Sequence, residues 1–565
     1  MPEGLAEQLD RLAAGGRRFA ARPAADRAAL ALATARTVAR VAERWCAAAV
    51  ELKQAPAGDT YRAAAAEEMA TGPIATLRLL LITARALDDV ACRGRPRLAV
   101  PPRVLHPAAS GAAGTAASFI GVDVTRQPRL FDGAIFQGQR AVVRCVNPGS
   151  LAAFERSWHE EVRERPARGG LAAVLGAGNV TGLAAADAIS QIFEYGRAVT
   201  LKLHPLHEPL AAVIAEALGP LVAADLLGIV TGGTDVAQAV VAAPQVTHVH
   251  LTGGQAAFEA IVWGTVGPRP PAAVPVLTKP ITCELGNVTP WIVVPGRYAR
   301  REIESQADLV AASIANNTSF NCIATKCLVT CASWDQRAVF LDRVHQRLAA
   351  LAPRPAWYPG AAAAWEAVTG SRPPADGRLP WTLRTGVDPD REPHWLSREW
   401  FTPVAVEVPL AAAGIDEFCG RVSTFVQRLP GSLAATVTAP DRGGRHEARR
   451  IDLLVEHLPY GVVARNQWTA LAYALGSVPW GGYPGGTLHV PESGIGRVHD
   501  PLLLPLVHNT ILTAPLSSWL SPAWVPWHRS GDRLARGVAE MYAAIARGGT
   551  GLGSLLHMLP AVLAG

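Results

Sequence analysis

The chain has 565 residues, of which 49% are hydrophobic, and this is enough for two to four domains with sizeable cores. Its net charge of +6 comes from 53 basic and 47 acidic residues spread along the chain, a distribution that gives no support to nucleic-acid binding. The eight cysteines form no CxxC pair and the chain is too long for a disulfide scaffold, so we expect a reduced, cytoplasmic protein.

No stretch of the sequence has the pattern of a membrane span. The N-terminus contains acidic residues and no continuous apolar core, unlike a secretory signal. Two uncharged runs, 236–258 and 501–528, are long enough to cross a bilayer. His, Gln and Gly interrupt the first run and prolines interrupt the second, so we predict no transmembrane segment.

The first half of the chain changes from a helical to an alternating pattern. Residues 1–95 are rich in alanine, with apolar positions at helical spacing, and predict a helical N-terminal region. After a short β-like stretch, residues 171–254 alternate apolar strands with helices. This repetition predicts a parallel sheet covered on both faces, with a nucleotide as the default ligand at the carboxyl ends of its strands. We assign residues 96–277 to a dinucleotide-binding domain.

The second half repeats the mixed α/β character and then loses it. We assign residues 278–475 to a second α/β domain, in which the Pro, Gly and Trp-rich stretch 353–393 is predicted to form surface loops. Residues 476–515 are a return segment and a candidate oligomerisation element. The Trp and Pro-rich tail, 516–565, contains a short amphipathic helix and is expected to pack on its parent domain. A membrane-interface or oligomer contact through its tryptophans is the alternative.

One cysteine lies in a polar loop where a reactive thiol is plausible. Cys322 stands in the stretch Asn-Asn-Thr-Ser-Phe-Asn-Cys-Ile-Ala-Thr-Lys, between a helix-compatible run at 301–315 and an apolar strand at 327–331. Loops at such junctions often carry function. A single cysteine of an intracellular chain is nevertheless more often a small buried hydrophobe, so the loop needs partners before it indicates chemistry.

Five motifs, taken in order, resemble the aldehyde dehydrogenase superfamily, and a divergent branch of it more than its well-known metabolic members. They cover roughly residues 100–515. The motifs are Leu171-Ala-Ala-Val-Leu-Gly-Ala-Gly-Asn179 with Lys202 following, Val249-His-Leu-Thr-Gly-Gly254, Glu284-Leu-Gly-Asn-Val-Thr-Pro290, the Cys322 loop, and Glu399-Trp-Phe-Thr-Pro403. The resemblance implies an α/β fold of the aldehyde dehydrogenase type, with a Rossmann-type cofactor domain and a second α/β catalytic domain.

The resemblance also implies a reaction and its residues. Cys322 would be the nucleophile, Glu284 the general base, and Asn179 an oxyanion-hole donor together with the backbone N–H of Cys322. The implied activity is NAD(P)-dependent oxidation of a small-molecule aldehyde to an acid, through a thiohemiacetal and a thioester, in a homodimer or homotetramer. The residues implied to hold NAD or NADP are Lys202, Gly233, Gly253, Gly254, Glu399 and Phe401.

The sequence departs from the family pattern beside these residues. Ala177-Gly178 stands where the family has Pro-Trp, Asn287 replaces the second Gly of Glu-Leu-Gly-Gly, and Phe320-Asn321 replaces Gly-Gln. Pro205 stands where NAD-preferring members commonly place an acid, and Glu208 is three residues out of register, so NADP stays open.

Two other functions remain open at this point. One is reduction of an acyl thioester such as an acyl-CoA, which uses the same nucleophile in reverse. The other is a catalytically impaired binding protein that retains the dehydrogenase fold. The pairs His204/His207 and His248/His250 lack the spacing of a metal-binding helix, and we predict no metal site.

Overall fold

The computed structural model describes residues 4–105, 118–518 and 522–563, which form two large sheets, a short two-stranded sheet and the helices around them. The strands are β1 (Arg103–Leu105), β2 (Phe119–Asp123), β3 (Arg140–Val146), β4 (Leu171–Leu175), β5 (Ala198–Lys202), β6 (Leu227–Val230), β7 (His248–Thr252), β8 (Ile281–Glu284), β9 (Pro290–Val293), β10 (Cys327–Cys331), β11 (Arg354–Pro355), β12 (Arg378–Leu379), β13 (Thr382–Arg384), β14 (Val404–Leu410), β15 (Ala434–Thr438), β16 (Val462–Arg465), β17 (Gly494–Ile495) and β18 (Val507–Thr513).

The α-helices cover both faces of these sheets. They are α1 (Leu5–Ala20), α2 (Ala24–Leu52), α3 (Asp59–Met69), α4 (Ala75–Arg93), α5 (Asp132–Ile135), α6 (Leu151–Glu164), α7 (Leu183–Tyr195), α8 (Ala211–Ala217), α9 (Gly219–Ala223), α10 (Thr234–Ala242), α11 (Gln255–Trp263), α12 (Arg300–Ala315), α13 (Arg337–Ala349), α14 (Ala361–Thr369), α15 (Ile415–Phe425), α16 (Arg445–His457), α17 (Ala470–Ala474), α18 (Gly531–Ala546) and α19 (Leu552–Leu563).

The smaller sheet has six strands in the order β17-β8-β7-β4-β5-β6. All neighbouring strands are parallel except β17, which runs antiparallel to β8. Every residue of β4, β5 and β7 is buried, as expected for strands that have helices on both faces. The parallel sheet predicted from residues 171–254 is therefore confirmed, and its carboxyl ends meet along one edge.

The larger sheet has ten strands in the order β1-β2-β3-β18-β16-β15-β9-β10-β14-β13. From β18 to β13 the neighbours are parallel, whereas β1, β2 and β3 form an antiparallel ribbon attached to β18. The fold is therefore the α/β arrangement that the sequence implied, with a second α/β unit beside the parallel sheet.

The strand pairing moves two of the domain boundaries that we assigned from sequence. Residues 103–146 do not join the six-stranded sheet, because β3 pairs with β18 of the larger sheet. At the other boundary, β8 lies beyond residue 277 yet pairs in parallel with β7, so the smaller sheet extends to Glu284. Both differences arise from pairing between segments that are distant in sequence, which local patterns do not reveal.

The N-terminal helices and the C-terminal tail pack together against the smaller sheet. Helices α2 and α4 form an antiparallel pair whose apolar residues belong to the same buried cluster as β4, β5 and β7. Tyr542 of α18 joins this cluster, and its hydroxyl accepts a hydrogen bond from the buried Arg78 guanidinium at 2.8 Å. Trp519 of the tail lies outside the described residues.

The prediction of surface loops for 353–393 is wrong in part. Trp357, Trp365 and Leu379 are buried, and helix α14 lies within this stretch. Its irregular sequence lacks periodicity because it packs through single aromatic residues between short elements. These side chains belong to the core of the larger sheet.

One helical stretch of the described residues, Asp59–Arg93, is long and apolar enough to cross a membrane by length and composition alone. Most of it is buried inside the fold, which is also the pattern of a core helix in a globular protein.

Candidate active site

A cleft of about 1600 Å³ lies between the two sheets. Its lining residues follow the carboxyl ends of β4, β5, β7 and β8 on one side and precede the amino ends of β10 and β14 on the other. Ligands of α/β proteins bind at such carboxyl ends. The cleft brings together all nine residues singled out in the sequence, namely Asn179, Lys202, Gly233, Gly253, Gly254, Glu284, Cys322, Glu399 and Phe401.

The half-buried thiol of Cys322 faces a carboxylate. Its Sγ lies 3.5 Å from Oε1 of Glu284, close enough for the thiol to donate a hydrogen bond, and 3.9 Å from Oδ1 of Asn321. Burial, and then the negative charges of Glu284 and Glu399, raise the pKa of Cys322 well above its usual value. The thiol is therefore protonated at neutral pH and needs a base to become a nucleophile.

Glu284 has the features of such a base. It ends strand β8 and is 3% exposed, and its Oε2 has no hydrogen-bond partner among the described residues. Burial, followed by the nearby carboxylate of Asp187, raises its pKa. A carboxyl group with a raised pKa takes up protons more readily near neutral pH than an ordinary glutamate does.

The amide of Asn179 lies beside the nucleophile loop. Its Nδ2 donates to the backbone carbonyl of Phe320 at 3.1 Å, and the backbone carbonyl of Asn179 accepts from Nδ2 of Asn317 at 2.8 Å. A carboxamide nitrogen carries two N–H groups, so one of them is free for another acceptor. Asn179 is thus anchored through one N–H and able to donate through the second.

The chain that leads into Cys322 has an unusual backbone. Asn317, Thr318 and Ser319 have φ values of 51°, 56° and 65°, which is a run of three left-handed residues without glycine. Such residues each cost roughly 1–2 kcal/mol and persist only where their surroundings hold them. The sequence pattern predicted a loop here but gave no sign of this conformation.

A buried ion pair from the N-terminal helices holds this left-handed turn. Lys53, just after α2, bonds to Glu68 of α3 and donates to Oδ1 of Asn317 at 2.7 Å. The backbone N–H of Asn317 donates to Glu67. Sequence reasoning missed Lys53, because nothing in the sequence connects the end of a helix to a loop more than 260 residues away.

Glu399 and the backbone near it fit a hydroxyl-bearing ligand. Its Oε1 is buried without a partner among the described residues, so it is an acceptor available to a donor in the cleft. A Cβ on Gly286 would lie 2.1 Å from its Oε2, so only glycine leaves room for this carboxylate. Burial raises the pKa of Glu399. A sugar hydroxyl is the kind of donor that would satisfy this oxygen.

Glu208 acts electrostatically on Lys202 although it does not line the cleft. Residues Pro205–Leu210 form a 3₁₀ helix after β5, and Oε1 of Glu208 accepts from the N–H of Gly232 at 2.7 Å. Burial lowers the pKa of Lys202, while the negative charges of Glu208 and Asp235 oppose this effect. A carboxylate therefore stands near Lys202 where the sequence register had suggested none.

Aromatic residues form one wall of the cleft near Cys322. The ring of Phe401 lies 4.8 Å from Tyr358 and 5.8 Å from Phe320 between centroids, and Tyr358 in turn stacks on His204 at 6.3 Å. Tyr358 and His204 line the cleft but were not among the predicted site residues. Tyr358 was missed because its stretch was interpreted as surface loops.

Within residues 4–105, 118–518 and 522–563, no group of three or more His, Cys, Asp or Glu residues is arranged to hold a metal ion.

Of the comparisons with known sequences, one gives a match. The sequence model of the aldehyde dehydrogenase family matches residues 135–360. A comparison with curated proteins finds no match.

Solved structures of the same kind share the fold over most of the chain. An NAD-dependent aldehyde dehydrogenase from Sinorhizobium meliloti is 16% identical with a TM-score of 0.56, covering 90% of this chain and 87% of that one. The aldehyde dehydrogenase KauB from Pseudomonas aeruginosa is 15% identical with a TM-score of 0.59, covering 90% and 88%. An indole-3-acetaldehyde dehydrogenase mutant from P. syringae, in complex with NAD+, is 16% identical with a TM-score of 0.58, covering 90% and 88%.

Proposed function

Because the chain belongs to the aldehyde dehydrogenase superfamily, we propose that it oxidises an aldehyde to a carboxylic acid with NAD(P) and a covalent Cys322 intermediate. The observation that carries this proposal is the contact of 3.5 Å between Sγ of Cys322 and Oε1 of Glu284. It pairs a thiol with a buried carboxyl group of raised pKa inside a cleft large enough for a dinucleotide.

The first half of the reaction makes a covalent adduct. Glu284 takes the thiol proton, and the thiolate of Cys322 adds to the carbonyl carbon of the aldehyde to form a thiohemiacetal. The free N–H of Asn179 and the backbone N–H of Cys322 stabilise the developing oxyanion; one such donor contributes about 3–4 kcal/mol in a transition state. NAD(P), when bound, would accept the hydride that leaves the thiohemiacetal carbon as its C=O bond re-forms, and Cys322 would then carry a thioester.

The second half releases the acid. With its proton transferred to water, Glu284 is again a base and takes a proton from an incoming water molecule. The resulting hydroxide attacks the thioester carbon, the C–S bond breaks, and the carboxylic acid leaves. The released thiolate of Cys322 takes the proton that Glu284 had accepted from water, so both groups return to their starting states. The unpartnered Oε2 of Glu284 is the acceptor available for this water.

The residues around the rest of the cleft would hold the cofactor. Lys202 would bond the adenosine ribose, and the unpartnered oxygen of Glu399 would accept from the nicotinamide ribose, with Phe401 packing near the ring. Gly233, Gly253 and Gly254 let the backbone approach the cofactor closely.

Glu208 favours NAD over NADP in this proposal, because its carboxylate near Lys202 would repel a 2′-phosphate. We expect Glu208→Gln to raise the ratio of kcat/KM for NADP to that for NAD about tenfold or more. Glu216→Gln is the matched control, since that half-exposed residue pairs with Arg44 at the surface. An unchanged ratio in Glu208→Gln would remove Glu208 from the specificity site.

The decisive experiment is a panel of aldehydes with each cofactor, followed by nicotinamide absorbance. Cys322→Ala is expected to lose turnover by at least about 10⁴-fold while still binding the cofactor, because the chemistry depends on the nucleophile and binding does not. Undiminished turnover in Cys322→Ala would disprove the covalent mechanism. Reduction of an acyl-CoA that survives Glu284→Gln would instead favour the reverse reaction, in which no water needs to be activated.

A further inference from the structure

A group of buried polar residues lies behind Glu284 and takes no part in the steps proposed above. It consists of Asp187, His250, Thr252 and His499, which we name the Asp187 cluster. All four side chains are less than 7% exposed. Buried titratable groups close to a reaction centre often set the protonation of the groups that react.

The contacts of Asp187 keep it ionised. Thr252 donates to its Oδ2 at 2.8 Å, Nε2 of His499 lies 3.2 Å from its Oδ1, and Nε2 of His250 lies 3.6 Å from its Oδ2. The backbone of His499 is itself fixed by a hydrogen bond to Ser190. Burial alone would raise the pKa of Asp187, but the two histidines outweigh it and hold the pKa below its usual range.

The sheet places this carboxylate next to the general base. Thr252 and Glu284 are partners in the register of the parallel strands β7 and β8, so they are roughly 5 Å apart with their side chains on the same face. Asp187 lies on α7 and bonds directly to Thr252. Its negative charge is therefore one side-chain layer away from the carboxyl group of Glu284.

We propose that Asp187 is a positioning residue for the reaction: its fixed negative charge behind Glu284 keeps that carboxyl group able to take up a proton from the thiol or from water. This inference rests on the proposed role of Glu284 as the base. Asp187 does not itself line the cleft, and it bonds Thr252, which does.

Other groups around Glu284 do not replace this effect. On the cleft side it faces the neutral thiol of Cys322, while Glu399 is opposed by Lys326. Behind it, Trp480 and His499 act in the opposite direction and lower its pKa. Among the charged groups, Asp187 has the largest effect in raising the pKa of Glu284.

The test measures the protonation of Glu284 directly and needs neither an aldehyde nor a cofactor. The carboxyl band of protonated Glu284 is followed against pH by infrared difference spectroscopy between each protein and the same protein carrying Glu284→Gln. In Asp187→Asn the midpoint is expected to fall by about 0.5–1 pH unit, a three- to tenfold change in the proton affinity. A midpoint that is unchanged or higher would overturn the proposal.

Two further variants separate charge from packing. Asp500→Asn is the control for a buried acid-to-amide change. Because Asp500 bonds Arg165, this variant should leave the midpoint at its wild-type value.

Thr252→Val keeps the charge of Asp187 and removes one hydrogen bond, so the midpoint should stay at or above that of the wild type. A lower midpoint of Glu284 protonation in Thr252→Val would overturn the proposal even if Asp187→Asn does not fold. A wild-type midpoint near the ordinary glutamate value of about 4.3 would also overturn it. If the midpoints behave as expected but the protein does not oxidise any aldehyde, only the proposed function is contradicted.

Discussion

At the scale of single residues, the site pairs a protonated thiol with a buried carboxyl group. In the proposed reaction the thiol makes the covalent bond, and the carboxyl group accepts the protons. Glu284, whose Oε1 lies 3.5 Å from Sγ of Cys322, is the base to which the thiol proton can pass. Asn179 is held by the carbonyl of Phe320 and contributes through its second N–H. The roles of these residues can therefore be separated by removing one function at a time.

Replacing Glu284 should slow both halves of the reaction. In Glu284→Gln the amide can take a proton neither from the thiol nor from water, so turnover is expected to fall by about 10²–10⁴-fold, the usual contribution of a general base. Alkylation of Cys322 by iodoacetamide, followed by mass spectrometry of the intact protein, should slow as well, because the thiol has lost its base. Wild-type turnover, or an alkylation rate equal to that of the wild type, would contradict this role.

A second buried acid, Glu194, should make stability depend on pH. Burial, and then the charge of Asp500, raise its pKa to about 8. The folded state therefore binds a proton that the unfolded state releases at about pH 4.3, so stability is lost as pH rises from about 5 to 8. Glu194→Gln should remove this loss, so that its free energy of unfolding exceeds that of the wild type by about 1 kcal/mol or more at pH 8 and by less at pH 5.

Denaturant titrations at several pH values measure this difference. Glu216→Gln, which changes a half-exposed carboxylate on the surface, serves as the control. Its free energy of unfolding should change with pH as that of the wild type does. If the free energy of unfolding changes with pH in the same way in Glu194→Gln and in the wild type, Glu194 is not protonated in the folded state at pH 8.

At the scale of elements, the N-terminal helices support the nucleophile loop from outside the two sheets. The buried pair of Lys53 and Glu68 reaches Asn317, the first residue of the left-handed turn. Glu67 adds a bond to the backbone of Asn317 and an ion pair with Arg354. Helix α3 and the end of α2 thus act on the geometry of Cys322 without touching the cleft.

Lys53→Met should weaken both stability and catalysis. It leaves the charge of Glu68 buried and unpaired, which typically costs about 3–5 kcal/mol in the free energy of unfolding. It also removes the hydrogen bond to Oδ1 of Asn317, so the rate of Cys322 alkylation by iodoacetamide should change. The double variant Lys53→Met/Glu68→Gln removes both charges and should recover most of the stability but not the alkylation rate. Recovery of both would show that Lys53 has only a structural role.

At the scale of the whole molecule, one buried arginine connects the two ends of the chain. Arg78 of α4 bonds Asp132, the carbonyl of Leu475 and the hydroxyl of Tyr542 in the C-terminal helix α18. Helix α18 packs on α2 and α3, which also hold the nucleophile loop. The tail is therefore part of the structure that supports the site.

Tyr542 tests this connection. Tyr542→Phe removes one hydrogen bond and should cost about 0.5–1.5 kcal/mol, because Arg78 keeps its other partners. Tyr542→Ala also removes a fully buried ring and should cost about 3–5 kcal/mol. Chemical denaturation measures both values. Equal effects of the two variants would mean that the tail contributes little packing.

The sequence by itself determined the elements whose signal is local. The fully apolar strands β4, β5 and β7 required burial on both faces, and their alternation with helices predicted the parallel sheet that the structure contains. The polar loop around Cys322 was recognisable between a helix and a strand. The order of the five motifs also indicated the family, because each motif depends on residues adjacent in the chain.

Only the tertiary structure decided which distant residues meet. The ribbon of β1–β3 joins the larger sheet through β18, and Asp187 meets Glu284 through Thr252. Lys53 reaches the nucleophile loop across 264 positions of the sequence. These contacts arise from packing and strand pairing between remote segments, and no local pattern of residue types carries that information.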